Sequence, residues 1–329
     1  MKAFTNANAR DLTHAVTLIR QGRDNHNTVA IVGGGSDWLG MMKDRLVTPD
    51  VVVHLKTAKG LDQVKQAKEG VTIGGQITLD ALSAHPVIRK QYAVLAEAAE
   101  GVATPQIRNV ATLAGNINQR PWCWYYRNGF KCLKNGGSTC YSVTGENEFH
   151  AIFGGGPSYI VHPSDTAPAL VALDATFRIV GADGERRVPA AEFFTLPTVD
   201  PARENVLKDG EILAEIVLPA PSAAARSTYH KILDREAWTH AVVSAAVVLD
   251  FNNDVVRTAH VVLGGVAPIP WRLPEVEKML TGERLTTELA AKAAEASVAG
   301  ARPLAKNGYK VPLTRNMVRR TLEGFVRTA

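Results

Sequence analysis

The chain predicts an α+β architecture with more than one domain, and three observations carry that expectation. An apolar run, a glycine turn and a second apolar run near the start read as a small β-α-β unit. A second glycine turn stands well downstream, behind a stretch with helical periodicity. The last third reads as strands followed by amphipathic helices, a compact α+β unit of its own.

The elements follow in order. Leu12, Ala15, Val16 and Ile19 share one face at helical spacing and predict a helix over 11–23. The strand 28–31 ends in the first glycine turn. Residues 41–45 and the strand 51–55 complete the unit, with Pro49 and Asp50 as the intervening turn. The run 71–75 opens a second region with helices near 79–85 and 92–100, and Thr78 is the expected N-cap of the first. Residues 121–160, rich in cysteine and aromatics, read as an irregular excursion. Regular structure resumes as a helix at 167–173 and a strand at 176–180. The segments 197–201 and 219–222 read as surface connections. Strands near 229–233, 241–250 and 255–264 precede helices near 274–281, 286–300 and 314–327. In the last helix Val318, Leu322, Phe325 and Val326 line one side, with Arg319, Arg320 and Arg327 toward water.

A length of 329 residues suffices for two or three domains with a sizeable core. Hydrophobic residues at 46% and charged residues at 21% describe an ordinary globular chain. The net charge of +5 is scattered without a Lys/Arg block, which argues against nucleic-acid binding. No apolar run approaches the roughly 18 residues of a membrane span, and the start lacks a signal-type apolar region. The expected location is therefore cytoplasmic, or periplasmic if a signal-bearing partner carries the chain. Three cysteines make an odd count and argue against a disulfide framework.

The two turns carry most of the chemistry. Val32, Gly33, Gly34, Gly35, Ser36 and Asp37 form the first, and Thr112, Gly115 and Asn116 belong to the second. Glycines expose consecutive backbone N–H groups, which suit phosphate oxygens. Two such turns suggest a pyrophosphate gripped from both sides, hence a dinucleotide. A Rossmann fingerprint is excluded, because its sixth position counted from Gly33 is Trp38 and its third counted from Gly34 is Ser36. Cys123, Cys132 and Cys140 lack the paired spacing of zinc sites. Isolated thiols in a loop with Trp122, Trp124, Tyr125 and Tyr126 suit an iron–sulfur cluster better. His150 and His162 have no nucleophile or carboxylate partner in the sequence pattern and read as structural.

With these motifs in view, the chain resembles the FAD-binding middle subunit of the molybdenum hydroxylases, the xanthine dehydrogenase family. Residues 32–39 with Met41, Met42 and Lys43 carry the resemblance, as do the stretch 106–116, the run His162-Pro163-Ser164-Asp165, and Leu263-Gly264-Gly265 with Pro270-Trp271-Arg272. The resemblance is greatest to the FAD subunits of periplasmic-type aldehyde oxidoreductases. It implies a two-lobed FAD domain of the vanillyl-alcohol-oxidase type over 1–222, with lobes near 1–58 and 59–222. A small domain over 223–329, an antiparallel sheet with helices, would follow.

Carried over by motif, Val32, Gly33, Gly34, Gly35, Ser36, Asp37, Trp38 and Leu39 would enclose the FAD pyrophosphate with Thr112, Gly115 and Asn116. Asp165 would accept a hydrogen bond from a cofactor hydroxyl, or cap the helix at 167–173. Lys231 would sit near the isoalloxazine, where reduction builds negative charge, or be a solvated strand lysine. The resemblance also implies a 4Fe–4S cluster on Cys123, Cys132 and Cys140. Ser158 stands where a fourth cysteine is expected, which leaves three readings: a four-iron cluster with Ser158 or another group as fourth ligand, a three-iron cluster, or none. Partners would be a large molybdenum-cofactor subunit and a small 2Fe–2S subunit, with electrons leaving through FAD to an external acceptor. A stand-alone flavin oxidoreductase and a non-catalytic assembly module are the rival readings.

Overall fold

The computed structural model describes residues 1–235 and 240–326, and among them the strands form three sheets. The first contains β1 (Thr5–Asn8), β2 (Val29–Val32) and β3 (Val51–His54) in the order β1-β3-β2, with both pairings parallel. Parallel strands need a crossover, and the helix Trp38–Lys43 lies on the one between β2 and β3. The helix Leu12–Asp24 begins where the Asp11 carboxylate accepts from the His14 amide at 2.7 Å. Its Ala15 and Ile19 pack with Val53 and Leu55.

The second sheet is antiparallel throughout. β4 (Val64–Ala67), β5 (Gly70–Gly74), β6 (Thr176–Gly181), β7 (Gly184–Pro189) and β8 (Ile212–Pro219) stand in the order β4-β5-β8-β6-β7. Thr78 caps the helix Leu79–Ala84 as expected, its hydroxyl accepting from the Ala81 amide. The helix Ala93–Glu100 and the wholly buried helix Thr166–Ala172 join this sheet in a common core.

The third sheet holds β9 (Ala225–Ile232), β10 (Val243–Asn252), β11 (Val255–Gly264) and β12 (Trp271–Arg272) in the order β12-β11-β10-β9, again antiparallel. The helices Pro274–Leu280, Thr287–Ala296 and Lys310–Glu323 share a core with it. The last of these begins before the expected position 314 and ends at Glu323. Pro312 falls within its first turn, where a missing N–H breaks no helical hydrogen bond. The buried Lys310 draws the helix start inward, with Nζ donating to the carbonyls of Gly265 (2.6 Å), His150 (3.2 Å) and Phe149 (3.3 Å). Arg327, placed on that helix by its periodicity, lies outside the described residues.

Residues 121–160 are largely irregular, with one short helix (Trp124–Arg127) and single 3-10 turns at Leu133–Asn135 and Tyr141–Val143. No described helix is long and apolar enough to cross a membrane.

Candidate cofactor site

The two glycine turns touch. β2 ends at the buried Val32, and the chain then runs directly against the second turn. A Cβ built on Gly34 would stand 1.8 Å from the Val110 carbonyl oxygen and 2.9 Å from the Ala111 Cα. One on Gly33 would stand 2.5 Å from Thr112 Oγ1 and 2.9 Å from Gln76 Oε1. Gly34 is thus required first by the approach of backbone to backbone, and Gly33 by the side chains of Thr112 and Gln76. Gly35 has a different reason, a left-handed φ of 77°.

On the other side, Thr112 caps the helix Leu113–Ile117, its Oγ1 accepting from the Gly115 amide at 3.2 Å. That hydroxyl keeps its proton free to donate. The turn is fixed by Leu113 N donating to Ile77 O (2.9 Å) and Ala114 N donating to Gly75 O (2.8 Å). A cavity of about 640 Å³ opens where the turns meet, bounded by Gly33–Asp37, Thr112 and Gly115 at one part of its wall and by Ile19, Arg23 and Leu55 at another.

Several expected residues lie elsewhere. Val32 is packed beneath the turn, and Leu39 is exposed on the following helix. Trp38 reaches the cavity wall. Asn116 is buried behind the cavity, where its Oδ1 accepts from Ser164 Oγ (2.6 Å) and Thr166 Oγ1 (2.7 Å). This ties the second turn to the 162–166 segment. Asp165 does not cap the buried helix; Ser164 does so instead, its Oγ accepting from the Ala167 amide at 3.0 Å.

Nor is Lys231 a solvated strand lysine. Its Nζ donates to Asp165 Oδ2 (2.7 Å) and Gly101 O (2.9 Å), while Tyr229 OH donates to Asp165 Oδ1 (2.7 Å). The two charged side chains are only 6% and 4% exposed, and neither lines the cavity. Burial first, and the Asp165 carboxylate second, push the Tyr229 phenol well above its ordinary value, so it remains the donor.

Asp37 has its carboxylate committed. Oδ2 accepts from the Arg120 amide at 3.0 Å and Oδ1 pairs with Arg127 Nη2 at 2.7 Å. The Arg127 guanidinium also lies over the Trp122 ring, 4.3 Å from its centroid. The cysteine-bearing segment is moored in this way to the first glycine turn. It is moored again where buried Lys134 pairs with Glu204 at 2.7 Å.

Within that segment Cys132 packs with Met41 and Tyr126, and Cys123 adjoins the same cluster. Burial, reinforced by the neighbouring Cys140 and Cys132 thiols, raises the Cys123 thiol pKa. Cys123 Sγ stands 3.5 Å from His150 Nε2. Cys140 Sγ stands 3.1 Å from Ser142 Oγ and accepts from the Tyr159 amide at 3.5 Å. Ser158, adjacent to that amide, is buried. Among the described residues no group of three or more His, Cys, Asp or Glu side chains is placed to hold a metal ion.

His162 titrates far from its ordinary range. Burial pulls it from 6.5 down to about 3, with the Ile117 backbone opposing and the Lys134 charge adding to the fall. Between those values the unfolded chain binds the extra proton, so this contribution to stability is complete above pH 6.5 and drains away as the pH falls. The expected slope is about 1.4 kcal/mol per pH unit. Denaturant titrations from about pH 4 to 7 should show at least that slope in the wild type, because burial also lowers the pKa of His150. The same series on His162→Gln should show it reduced by one proton's worth; an unchanged slope would contradict the buried neutral ring.

A cavity walled by two glycine turns, with backbone amides and a threonine hydroxyl at its rim, has the lining that a dinucleotide-binding protein requires. Residues 2–221 match the family described as the FAD binding domain in molybdopterin dehydrogenase, and 228–325 match the CO dehydrogenase flavoprotein C-terminal domain. The chain belongs to this family, that of the FAD-binding medium subunits of molybdenum hydroxylases. It is 32% identical over 289 residues to the aldehyde oxidoreductase FAD-binding subunit PaoB of Escherichia coli K12, covering 86% of this chain and 87% of the relative. Identity to the nicotinate dehydrogenase FAD-subunit of Eubacterium barkeri is 27%, covering 88% and 83%. Among solved structures, carbon monoxide dehydrogenase from Hydrogenophaga pseudoflava superposes with a TM-score of 0.75 at 25% identity, covering 97% of this chain and 96% of the other.

Gln76, Asn118 and Asn205 also line the cavity and were not anticipated. Only Gln76 carried a signal, its place directly after Gly74 and Gly75 at the end of an apolar strand.

Proposed function

We propose that this chain collects reducing equivalents for a heteromeric hydroxylase of aldehydes or N-heterocycles and passes them to an external acceptor. A large molybdenum-cofactor subunit and a small 2Fe–2S subunit would be its partners. The observation that carries this reading is the convergence of both glycine turns on one cavity. The site fits FAD: Gly33, Gly34 and Gly35 bring backbone amides to the wall, Thr112 has a free hydroxyl proton, and Gln76 adds a carboxamide to the same lining. When bound, FAD would supply a two-electron store that one-electron donors can fill. The chain's own residues bind and orient it. Asp165 and Lys231 serve by fixing the 162–166 segment against Asn116 rather than by lining the cavity. No side chain of this chain need act on the organic substrate.

The division near residue 222 is part of the proposal, supported by two core clusters, one built mostly from residues before it and one mostly from residues after it, with Tyr229, Ala246 and Val262 reaching into the first and Ile152 and Phe153 into the second. So is an iron–sulfur cluster on Cys123, Cys132 and Cys140 with Ser158 as fourth ligand. Supporting it are Cys123 and Cys132 in one packed cluster, and the burial of Ser158 beside the Cys140 contact. A four-iron cluster holds its ligand atoms farther apart than a single ion does, so the absence of a compact ion site among the described residues does not bear on it. A location outside the cytoplasm would follow from a signal-bearing partner.

The test is purification of the native complex under argon, followed by flavin, molybdenum, iron and sulfide analysis of the complex and of this chain. Bound FAD and copurifying molybdenum and 2Fe–2S subunits are expected, with dye reduction by aldehydes or N-heterocycles. A folded chain that refuses FAD would remove the whole reading. Flavin-only absorbance from this chain would remove the cluster alone.

A further inference from the structure

Gln76 sits where the two glycine turns meet, and nothing in the protein uses its side chain. The backbone on either side is fixed: Gly75 N donates to Ala214 O (2.8 Å), Gln76 N to Leu61 O (2.7 Å), and Leu113 N to Ile77 O (2.9 Å). The point from which the side chain starts is therefore held in place at the cavity wall. It is 8% exposed, lines the cavity, and its Oε1 is buried with no hydrogen-bond partner. The amide end lies close to Gly33 and Thr112, since a Cβ on Gly33 would touch both Gln76 Oε1 and Thr112 Oγ1.

A buried carboxamide oxygen without a donor costs about 1–3 kcal/mol. A side chain that carries such a cost at a cavity wall, with its NH2 left without a partner among the described residues, is suited to something that binds. The carboxamide has two donor hydrogens on one side, and either end can be turned toward the cavity by rotation about its last torsion. The surrounding groups select the ligand's chemistry. Backbone amides of the first turn and the Thr112 hydroxyl proton are also donors, so the matching partner is an acceptor-rich, negatively charged group.

We infer that Gln76 is a cofactor-binding residue whose NH2 donates to the diphosphate of the dinucleotide, completing a ring of donors from both lobes. The inference rests on the flavin reading of the cavity. It adds to it a residue outside both glycine turns, from the strand end between the lobes.

The test uses the full-length chain freed of flavin, with FAD, ADP and riboflavin as probes. Gln76→Leu should weaken FAD by about ten- to a hundredfold, as for loss of a hydrogen bond to a charged group. It should weaken ADP similarly and leave any riboflavin binding unchanged. Gln76→Glu should weaken FAD and ADP further, because a carboxylate then faces the diphosphate. The flavin-free Gln76→Leu protein should melt at or above the wild-type temperature, because an unsatisfied buried amide has been removed. A structural glutamine would behave oppositely, with apo stability falling. Wild-type affinity for FAD in Gln76→Leu overturns the inference, and so does a loss of apo stability that accounts for the weaker binding. A wild-type chain that binds no FAD overturns the flavin reading beneath it, a result distinguishable because it appears before any substitution is made.

Discussion

Replacing Asp165 with alanine is expected to destabilise the protein by about 3–5 kcal/mol, because a buried ammonium is left without its counter-charge. The Asp165 carboxylate holds Lys231 at 2.7 Å and accepts from Tyr229 OH at 2.7 Å. With it gone, Lys231 Nζ retains the Gly101 carbonyl alone among its hydrogen-bond partners in the described residues. Combining Asp165→Ala with Lys231→Met should recover most of the loss, since an apolar pair needs no desolvated charge. Denaturant unfolding of the two single variants and the double variant gives the coupling directly. Additive losses would show that the pair is not the cause. Flavin content of the double variant then reports what the pair does for the cofactor apart from stability. Retained FAD would mean that its contribution is confined to holding the 162–166 segment.

Gly34→Ala should abolish FAD retention, lowering the flavin-to-protein ratio more than tenfold (about 1.4 kcal/mol at the least). The added methyl meets backbone, with the Val110 oxygen at 1.8 Å and its carbonyl carbon at 2.6 Å, so no rotamer change relieves it. The first turn must lift off the second, and the cavity wall opens. Two neighbours calibrate the effect. Gly35→Ala meets only side chains, Leu39 at 3.3 Å and Val32 at 3.7 Å, and its cost is chiefly that of the left-handed φ, about 1–2 kcal/mol. Gly40, in the helix Trp38–Lys43, has nothing within 4 Å of its would-be Cβ. There alanine should stabilise by about 0.5–1 kcal/mol. Absorbance of the purified proteins and their melting temperatures check the order; equal flavin content in Gly34→Ala and Gly40→Ala would contradict the interlocked turns.

The glycines were legible in the sequence, but their main reason was not. Gly34 reads locally as a residue that opens backbone to a ligand. Its constraint comes from Val110, a residue far along the chain that no local pattern connects to it. The same limit hides the Asp165–Lys231–Tyr229 network, whose members come from a loop and from β9. Asp165 read locally as a helix cap, and Ser164 one position earlier took that role because its hydroxyl reaches the Ala167 amide.

Among the strands, β8 was readable and missed: Ile212, Leu213, Ala214, Ile216 and Leu218 are buried along a nearly continuous apolar run, as a central strand requires. By contrast β1 (Thr-Asn-Ala-Asn) and β7 (Gly-Glu-Arg-Arg-Val-Pro) lie at sheet edges with mostly exposed or half-exposed side chains. Their pairing partners, not their composition, make them strands. The β-α-β unit, the Thr78 cap and the strand-rich C-terminal unit with its helices were legible because period and capping chemistry are local.

Asp37 spends both oxygens on the excursion that carries the cysteines, one on the Arg120 amide and one on the Arg127 guanidinium. That gives the insertion a dowel rather than a tether. Transplanting residues 121–160 into a scaffold whose first turn lacks a carboxylate at this place would leave the graft without its anchor, so the two segments form a single exchangeable cassette.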